Sequence, residues 1–291
     1  MKKQVLIPSV NFHLWEPCNM RCKFCFATFQ DVKKAILPKG HLPKEQAIQV
    51  VKELAQFGFE KITFAGGEPT LCPWLDELIR TAKLLGMTTM IVTNGSRITA
   101  EFLERNKNFL DWMALSIDSS KPLINIQLGR AISGKKDIGL DDYMSMIQQI
   151  KKYGYGLKIN TVVNRCNLDE DFTELIQFAQ PKRWKVLQVM PVLGQNDTKV
   201  DELTISLADF ESFVNRHQFL EQITTLVPES CELIRGSYAM VDPAGRFFDS
   251  TKGGHQYSEP ILKVGIEKAF HQALIDDVKF QNRSGIYDWK L

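Results

Sequence analysis

Cys18, Cys22 and Cys25 fall on one short stretch with the spacing Cys-x3-Cys-x2-Cys. Three thiolates so arranged can ligate three irons of a cubane cluster and leave its fourth iron open to another ligand. The competing reading is a structural zinc, which wants four closed ligands. Neither a histidine nor a fourth cysteine follows at finger-like spacing. Cys72, Cys166 and Cys231 are scattered, a poor disulfide framework for a chain of 291 residues, and read as small, semi-buried thiols.

A second group of residues could bind an anion. Strand period two puts Lys158 and Asn160 on one face of the run 156–162, and Arg183 with Lys185 on one face of the run 182–188. Lys61 opens another β-rich run. If these faces point inward, the cations need an anionic partner, and a triphosphate supplies one, with Arg as a fork and Lys as point charges. The alternative, that they face solvent at strand edges, stays open at this stage.

Elements that could position these groups alternate along the chain. Runs at 10–15, 61–65, 87–93, 112–117, 157–163 and 184–190 read as strands, and 43–57, 74–85, 142–153 and 170–180 as helices. Pro43 and Gly58 bracket the first of these helices. Such alternation predicts an α/β fold with a parallel sheet curled into a full or partial (β/α) barrel. Residues 194–204 are polar and read as a loop. Beyond residue 206 one helix and a less regular tail are expected. Parallel barrels hold their chemistry at the carboxyl ends of the strands. Those ends carry the cysteines, Gly66-Gly67-Glu68-Pro69, Thr93-Asn94-Gly95-Ser96 and Ser116-Ile117-Asp118-Ser119.

A formal net charge of +2 provides no general nucleic-acid coat, and the chain is ordinary in its apolar and charged content. No apolar run reaches membrane-spanning length. Val5-Leu6-Ile7 is stopped by Pro8, too short for a signal-peptide core, so a cytoplasmic protein without membrane or nucleic-acid partners is expected.

With Phe24 before Cys25, the cysteine spacing resembles the signature of the radical S-adenosylmethionine (SAM) superfamily, and Gly66-Gly67-Glu68-Pro69 resembles that superfamily's Gly-Gly-Glu-Pro element. The resemblance implies a 4Fe–4S cluster on Cys18, Cys22 and Cys25. It also implies contacts of Gly66, Gly67 and Glu68 with the amino group of SAM, where glycines would let the backbone approach the ligand. Ser116 and Arg130 would take the methionine carboxylate, and Asn94 and Ser96 the ribose.

Within that superfamily the chain is similar to the viperin family. The similarity rests on Ser9-Val10-Asn11-Phe12-His13, Cys18-Asn19-x2-Cys22-x2-Cys25-Phe26, Lys61-Ile62-x-Phe64-x-Gly66-Gly67-Glu68-Pro69 and Asn94-Gly95-Ser96. Lys158-Ile159-Asn160-x-Val162-x-Asn164-Arg165, Arg183-Trp184-Lys185-Val186-x-Gln188 and Val227-Pro228-Glu229-Ser230 continue it to Asp288-Trp289. The family implies a partial (β/α)6 barrel of the radical SAM type at 1–205, with a C-terminal extension at 206–291 that completes the nucleotide site. It also implies the activity: conversion of CTP, UTP or GTP to the 3′-deoxy-3′,4′-didehydro analogue, in antiviral or anti-phage defence. A 5′-deoxyadenosyl radical takes the 4′ hydrogen, the 3′ hydroxyl leaves as water, and a reducing partner supplies electrons. Tyr238 matches the tyrosine proposed as proton donor. Lys61, Lys158, Arg183 and Lys185 would clamp the triphosphate, with Asn11 and Asn160 as further nucleotide contacts. Base recognition is expected from loop contacts, in the region 33–41 or the tail.

Two departures stand out. The amphipathic N-terminal helix that anchors animal viperins is absent, so the prokaryotic members are the expected kin. Lys290 and Leu291 follow Asp288-Trp289, so partner contacts through that terminus are not carried over. A GTP-cyclising radical SAM enzyme would need a second cysteine cluster, where Cys231 stands alone. A non-catalytic iron–sulfur sensor would need neither the Gly-Gly-Glu-Pro loop nor the cation-bearing strands.

Overall fold

Alternation within each strand decides the architecture. Val10, Phe12 and Leu14, Ile62 and Phe64, Met113 and Leu115, Leu157 and Ile159, and Trp184 and Val186 are buried in one core with helical residues such as Val50, Leu54, Leu78, Ile147 and Ile176. The residues between them face the other way, so each strand has an apolar face under helices and a more polar face turned inward.

The computed structural model describes residues 7–136 and 138–290. Most of the stretch considered as a signal core, and Leu291, lie outside the described residues. Strands β1 (Ser9–Trp15), β2 (Lys61–Gly66), β3 (Thr88–Thr93), β4 (Trp112–Ser116), β5 (Gly156–Val163), β6 (Arg183–Gln188) and β7 (Thr225–Glu229) pair in parallel succession. On the far side of β1 lie β8 (Ala239–Val241), parallel to it, then β9 (Arg246–Asp249) and β10 (Gln256–Pro260) in antiparallel order. The crossovers carry α1 (Lys44–Phe57), α2 (Leu75–Leu84), α3 (Ala100–Asn106), α4 (Pro122–Gln127), α5 (Leu140–Lys152), α6 (Thr173–Ala179) and α7 (Leu207–His217). Four short helices follow: α8 (Cys231–Ile234), α9 (Ile261–Val264), α10 (Ile266–His271) and α11 (Asp277–Asn282). No helix among the described residues is long and apolar enough to cross a membrane.

The sheet is curled but does not close, since β7 and β10 are its two ends. Six strand spacings separate β6 from β8, about 29 Å in a flat sheet. Yet the Lys185 ammonium on β6 donates to the hydroxyl of Tyr238, just before β8, across 2.7 Å. The inner face therefore curls until β6 and the segment before β8 meet across it.

The six expected strands and four expected helices all form, with ends shifted by up to three residues. The tail is more regular than expected: it contributes β7 to β10. Pro228 within β7 hides that strand from a reading by propensity, and β7 is an end strand, where proline is tolerated. At three to five residues, β8, β9 and β10 are too short to show a period.

Candidate active site

The strand register places the predicted groups in tiers on the inner face. Asn11, Thr63, Met90 and Trp112 are successive partners across β1 to β4. Ala114, Lys158 and Arg183 form the next tier across β4 to β6, and Ser116, Asn160 and Lys185 the one above. Lys61 lies two residues before Thr63, on the same face, and its ammonium donates to the Thr63 hydroxyl at 3.3 Å. The inward alternative for the cations is thus the one the structure adopts: Lys61, Lys158 and Arg183 are buried and Lys185 is half-buried.

Burial and mutual repulsion depress their pKa values. Lys61 is held near 7, by desolvation first and then by Lys185, Arg283 and Arg183. Lys158 falls well below the usual range for the same reasons, and Lys185 sits near 8 despite its carboxylate partner. The tail adds aromatic cover. The Tyr287 hydroxyl takes a hydrogen bond from Lys158, its ring lies 4.3 Å from the Arg183 guanidinium, and the Trp112 indole N–H donates to the Trp289 carbonyl at 2.8 Å.

Two residues of this site were not singled out from sequence. Arg283, beyond α11, is buried with its guanidinium 3.5 Å over the Tyr238 ring, and its Nε donates to the Ser237 carbonyl at 3.0 Å. Glu229, at the end of β7, is fully buried. It pairs with Lys185 at 2.8 Å and Arg283 at 3.6 Å, and it accepts the Tyr238 hydroxyl proton. Lys185 and Arg283 outweigh desolvation at Glu229 and hold its pKa below the ordinary value. Burial keeps the Tyr238 phenol protonated far above its usual range. Glu229 lay inside the quoted Val-Pro-Glu-Ser match. Arg283 carried no signal beyond its charge.

At the opposite end of the strands sits the cysteine loop, pinned by its neighbours. The backbone of Arg21 and Gly129 is joined by an N–H···O bond of 3.0 Å, and Lys23 donates to the Leu128 carbonyl at 2.9 Å. Gly67 N–H donates to the Trp15 carbonyl at 2.5 Å and Glu68 N–H to the Pro17 carbonyl at 3.0 Å. A Cβ on Gly66 or Gly67 would overlap the carbonyl oxygens of Trp15, Glu16 and Pro17, and one on Gly129 the Arg21 carbonyl. The close approach of the cysteine loop by itself requires glycine at these positions, a reason additional to the ligand approach expected at Gly66 and Gly67.

Of the predicted SAM contacts, Glu68, Asn94 and Ser96 form one network and Ser116 with Arg130 a second. Glu68 is buried and accepts from the hydroxyls of Thr70 at 2.6 Å and Thr93 at 2.7 Å and from the Asn94 N–H at 2.8 Å, so it ties the loop after β2 to the loop after β3. The Asn94 amide donates to Asn19 at 2.9 Å, and Asn19 donates to the Ser96 hydroxyl at 2.9 Å. Asn19, visible only as part of the quoted match, thereby locks Asn94-Gly95-Ser96 to the cysteine loop. Arg130 is ion-paired with buried Asp118 and donates to the Ser116 backbone carbonyl at 3.2 Å, placing its charge beside Cys22. Sequence gave Asp118 only as a strand end.

The donor set fits a cluster with an open iron. Cys18, Cys22 and Cys25 are free thiols on one pinned loop; Cys22 raises the pKa of Cys18, and Cys22 and Cys18 raise that of Cys25. Desolvation is the main cause, moving Cys18 to about 11 and Cys25 to about 12. Among the described residues no three His, Cys, Asp or Glu side chains are gathered tightly enough to hold a metal ion, which leaves rotation of the cysteine side chains to complete the set. Cys72 is buried and Cys166 and Cys231 are half-buried, all free, as read from sequence.

Residues 15–179 match the model of the radical SAM superfamily. The S-adenosylmethionine-dependent nucleotide dehydratase of Flammeovirga pacifica is 55% identical, with 98% of this chain and 97% of that protein covered. A protein of the same name from Lacinutrix mariniflava is 59% identical over 97% of this chain, which spans only 59% of that relative's length. The nucleotide dehydratase RSAD2 of Danio rerio is 36% identical over 97% of this chain and 78% of its own. Among solved structures, anSMEcpe with bound AdoMet superposes with a TM-score of 0.68 at 15% identity, covering 94% of this chain and 82% of that one. Streptococcus suis SuiB bound to S-adenosylmethionine gives 0.66 at 18%, covering 82% and 59%. At these identities the two structures speak for the fold.

Proposed function

The chain belongs to the radical SAM superfamily and, within it, to the viperin family, and from that premise we propose that it dehydrates a ribonucleoside triphosphate. The observation that carries this reading is the set of inward cations Lys61, Lys158, Arg183, Lys185 and Arg283, with Glu229 the carboxylate paired among them in the described residues. Buried cations in such excess either give up protons, as the depressed lysine pKa values show, or take up an anion carrying several charges. A triphosphate fits.

When bound at Cys18, Cys22 and Cys25, the 4Fe–4S cluster with SAM supplies the 5′-deoxyadenosyl radical that removes hydrogen from the 4′ carbon. The chain's own residues do the rest by position. Glu68, Asn19 and Asn94 hold the loops on which Gly66, Gly67 and Ser96 face SAM, and Arg130 with Ser116 flanks Cys22 for the methionine carboxylate. Lys61, Lys158, Arg183, Lys185 and Arg283 fix the phosphates, and the half-buried Asn11 and Asn160 stand on the same face for the sugar. The extension at 206–291 completes this wall through β7, β8 and Arg283.

Tyr238 is the donor that protonates the departing 3′ hydroxyl. Its proton is retained by burial and it is oriented by Lys185 and Glu229. Tyr238→Phe should keep nucleotide affinity while lowering turnover by about 10²-fold or more; unchanged product yield would exclude the acid role.

CTP, UTP and GTP are the candidate substrates, an electron donor is the required partner, and a chain-terminating product suits anti-phage defence in the cytoplasm. Anaerobic reconstitution with SAM, reductant and each of CTP, UTP, GTP and ATP tests the reading. The expected result is 5′-deoxyadenosine stimulated by one nucleotide, with equal formation of that triphosphate less one water. 5′-Deoxyadenosine that no nucleotide stimulates would reject it.

A further inference from the structure

Two imidazoles stand on the inner wall with ring nitrogens that nothing satisfies. His13, on β1, is 4% exposed, and neither of its nitrogens has a hydrogen-bond partner. A buried polar side chain without a partner is costly and rare, and such a group commonly marks a ligand position. His255, before β10, leaves its Nε2 equally unpaired.

Aromatic rings surround both. The Phe29 ring centroid lies 5.3 Å from His13 and 5.7 Å from His255, and that of Phe248 lies 5.6 Å and 4.7 Å away respectively. Phe26, next to Cys25 and 36% exposed, sits at the mouth, 5.8 Å from His13 and 6.4 Å from His255. From the region 33–41, Leu37 packs against the cluster that holds Phe29 and Phe248, while His41 stacks on Trp15 at 3.9 Å.

The position is informative. His13 shares a strand face with Asn11, about 7 Å further toward the carboxyl end at the usual rise per residue. Phe29 and Phe248 belong to a packed cluster that also takes in Cys25 and Tyr238. The nest thus lies between the cysteine loop and the Tyr238 end of the cation site. With the phosphates on the cations and the reacting sugar carbon toward the cysteine loop, the remaining part of a nucleotide is its base.

The hydrogen-bond chemistry also selects a base. Asp31 is ion-paired with Arg246 at 3.2 Å and accepts the Tyr257 hydroxyl proton at 3.1 Å. The Tyr257 oxygen is then free to accept from His255 Nδ1–H at 3.2 Å, which leaves Nε2 as a bare lone pair. That lone pair suits the N–H of a base and repels phosphate. Burial holds His13 near pKa 3 and His255 near 4, so both rings stay neutral, and His13 offers one donor and one acceptor.

We propose that His13 and His255, with Phe26, Phe29 and Phe248, form the nucleobase seat, the imidazoles reading the base edge and the phenyl rings packing on its faces. This rests on the nucleotide reading of the cation site. Once built, the seat makes His13 and His255 specificity-determining residues.

Equilibrium binding of CTP, UTP, GTP, ATP and inorganic tripolyphosphate to the reconstituted holoenzyme with SAM, in the wild type, His13→Phe and His255→Ala, tests it. Tripolyphosphate carries the charge without the base. Its affinity should stay unchanged in both variants, while the preferred nucleotide weakens about tenfold or more and the spread among bases narrows. Nucleotide affinities within about twofold of wild type in both variants would overturn the seat and leave the cation site standing. Parallel loss of nucleotide and tripolyphosphate would overturn it as well, assigning the imidazoles to the fold. Wild-type protein that binds neither ligand would overturn both readings. His255 is half-buried at the rim, so His255→Ala keeps the test decisive even where a core change at His13 unfolds the chain.

Discussion

Lys158→Met should weaken nucleoside triphosphate binding by roughly 10- to 150-fold, the loss of one charge-assisted hydrogen bond of about 1.5–3 kcal/mol. The same substitution should leave the unliganded protein as stable as the wild type or more so, because it removes one of several cations that repel one another. Opposite signs for binding and stability separate a ligand-binding charge from a structural one. Calorimetric titration together with urea unfolding measures both. Equal affinities in wild type and variant would show that the cations are not a phosphate clamp.

The same crowding predicts a pH dependence with a definite sign. Lys61, near 7 in the fold, returns to about 10.5 when the chain unfolds. Between those values the unfolded chain binds more protons, so the stability of the unliganded protein should rise with pH across that window. A bound triphosphate favours the charged form and draws the pKa back up. Nucleotide binding near pH 8 should therefore take up protons, detectable as a buffer-dependent binding heat, and affinity should fall as pH rises above Lys61's pKa of about 7 and Lys185's of about 8.

Glu229→Gln carries the second large effect. Among the described residues Glu229 is the carboxylate paired with those cations, and it holds Lys185, Arg283 and the Tyr238 hydroxyl together. Removing one partner of a buried ion pair costs on the order of 3–5 kcal/mol, because the other charge stays buried. Unliganded Glu229→Gln should lose stability of that order. Saturating triphosphate should restore more of it than it adds to the wild type, since the ligand replaces the missing negative charge. Thermal unfolding with and without nucleotide reads the difference. A variant as stable as the wild type without ligand would mean that Lys185 and Arg283 need no internal anion.

How much was legible in the sequence follows from range. Lys158 with Asn160 and Arg183 with Lys185 are two apart on strands, so period two alone paired them, and register then aligned them across β5 and β6. The cysteine loop was readable from spacing alone. What sequence could not supply was which face turned inward, since that depends on the curl of the whole sheet. Arg283 and Glu229 reach the site from segments 54 residues apart, through a tail whose strands are too short to announce themselves. Gly66 and Gly67 have a second reason that sequence did not show: a Cβ on either would meet carbonyls of the loop before Cys18. His13 lay within the quoted match, yet only the lack of hydrogen-bond partners at its nitrogens singles it out.

The measurement that bears most directly on nucleotide dehydration is transfer of label from a 4′-deuterated substrate. The reconstituted enzyme, SAM and reductant would be given the nucleotide that stimulates turnover, deuterated at the 4′ carbon, with products followed by mass spectrometry. Monodeuterated 5′-deoxyadenosine in step with a triphosphate that has lost the 4′ label and the 3′ hydroxyl is the predicted result. Unlabelled 5′-deoxyadenosine beside intact nucleotide would contradict it, and would mean that the cations, the Tyr238–Glu229 pair and the cysteine loop do not act on one sugar.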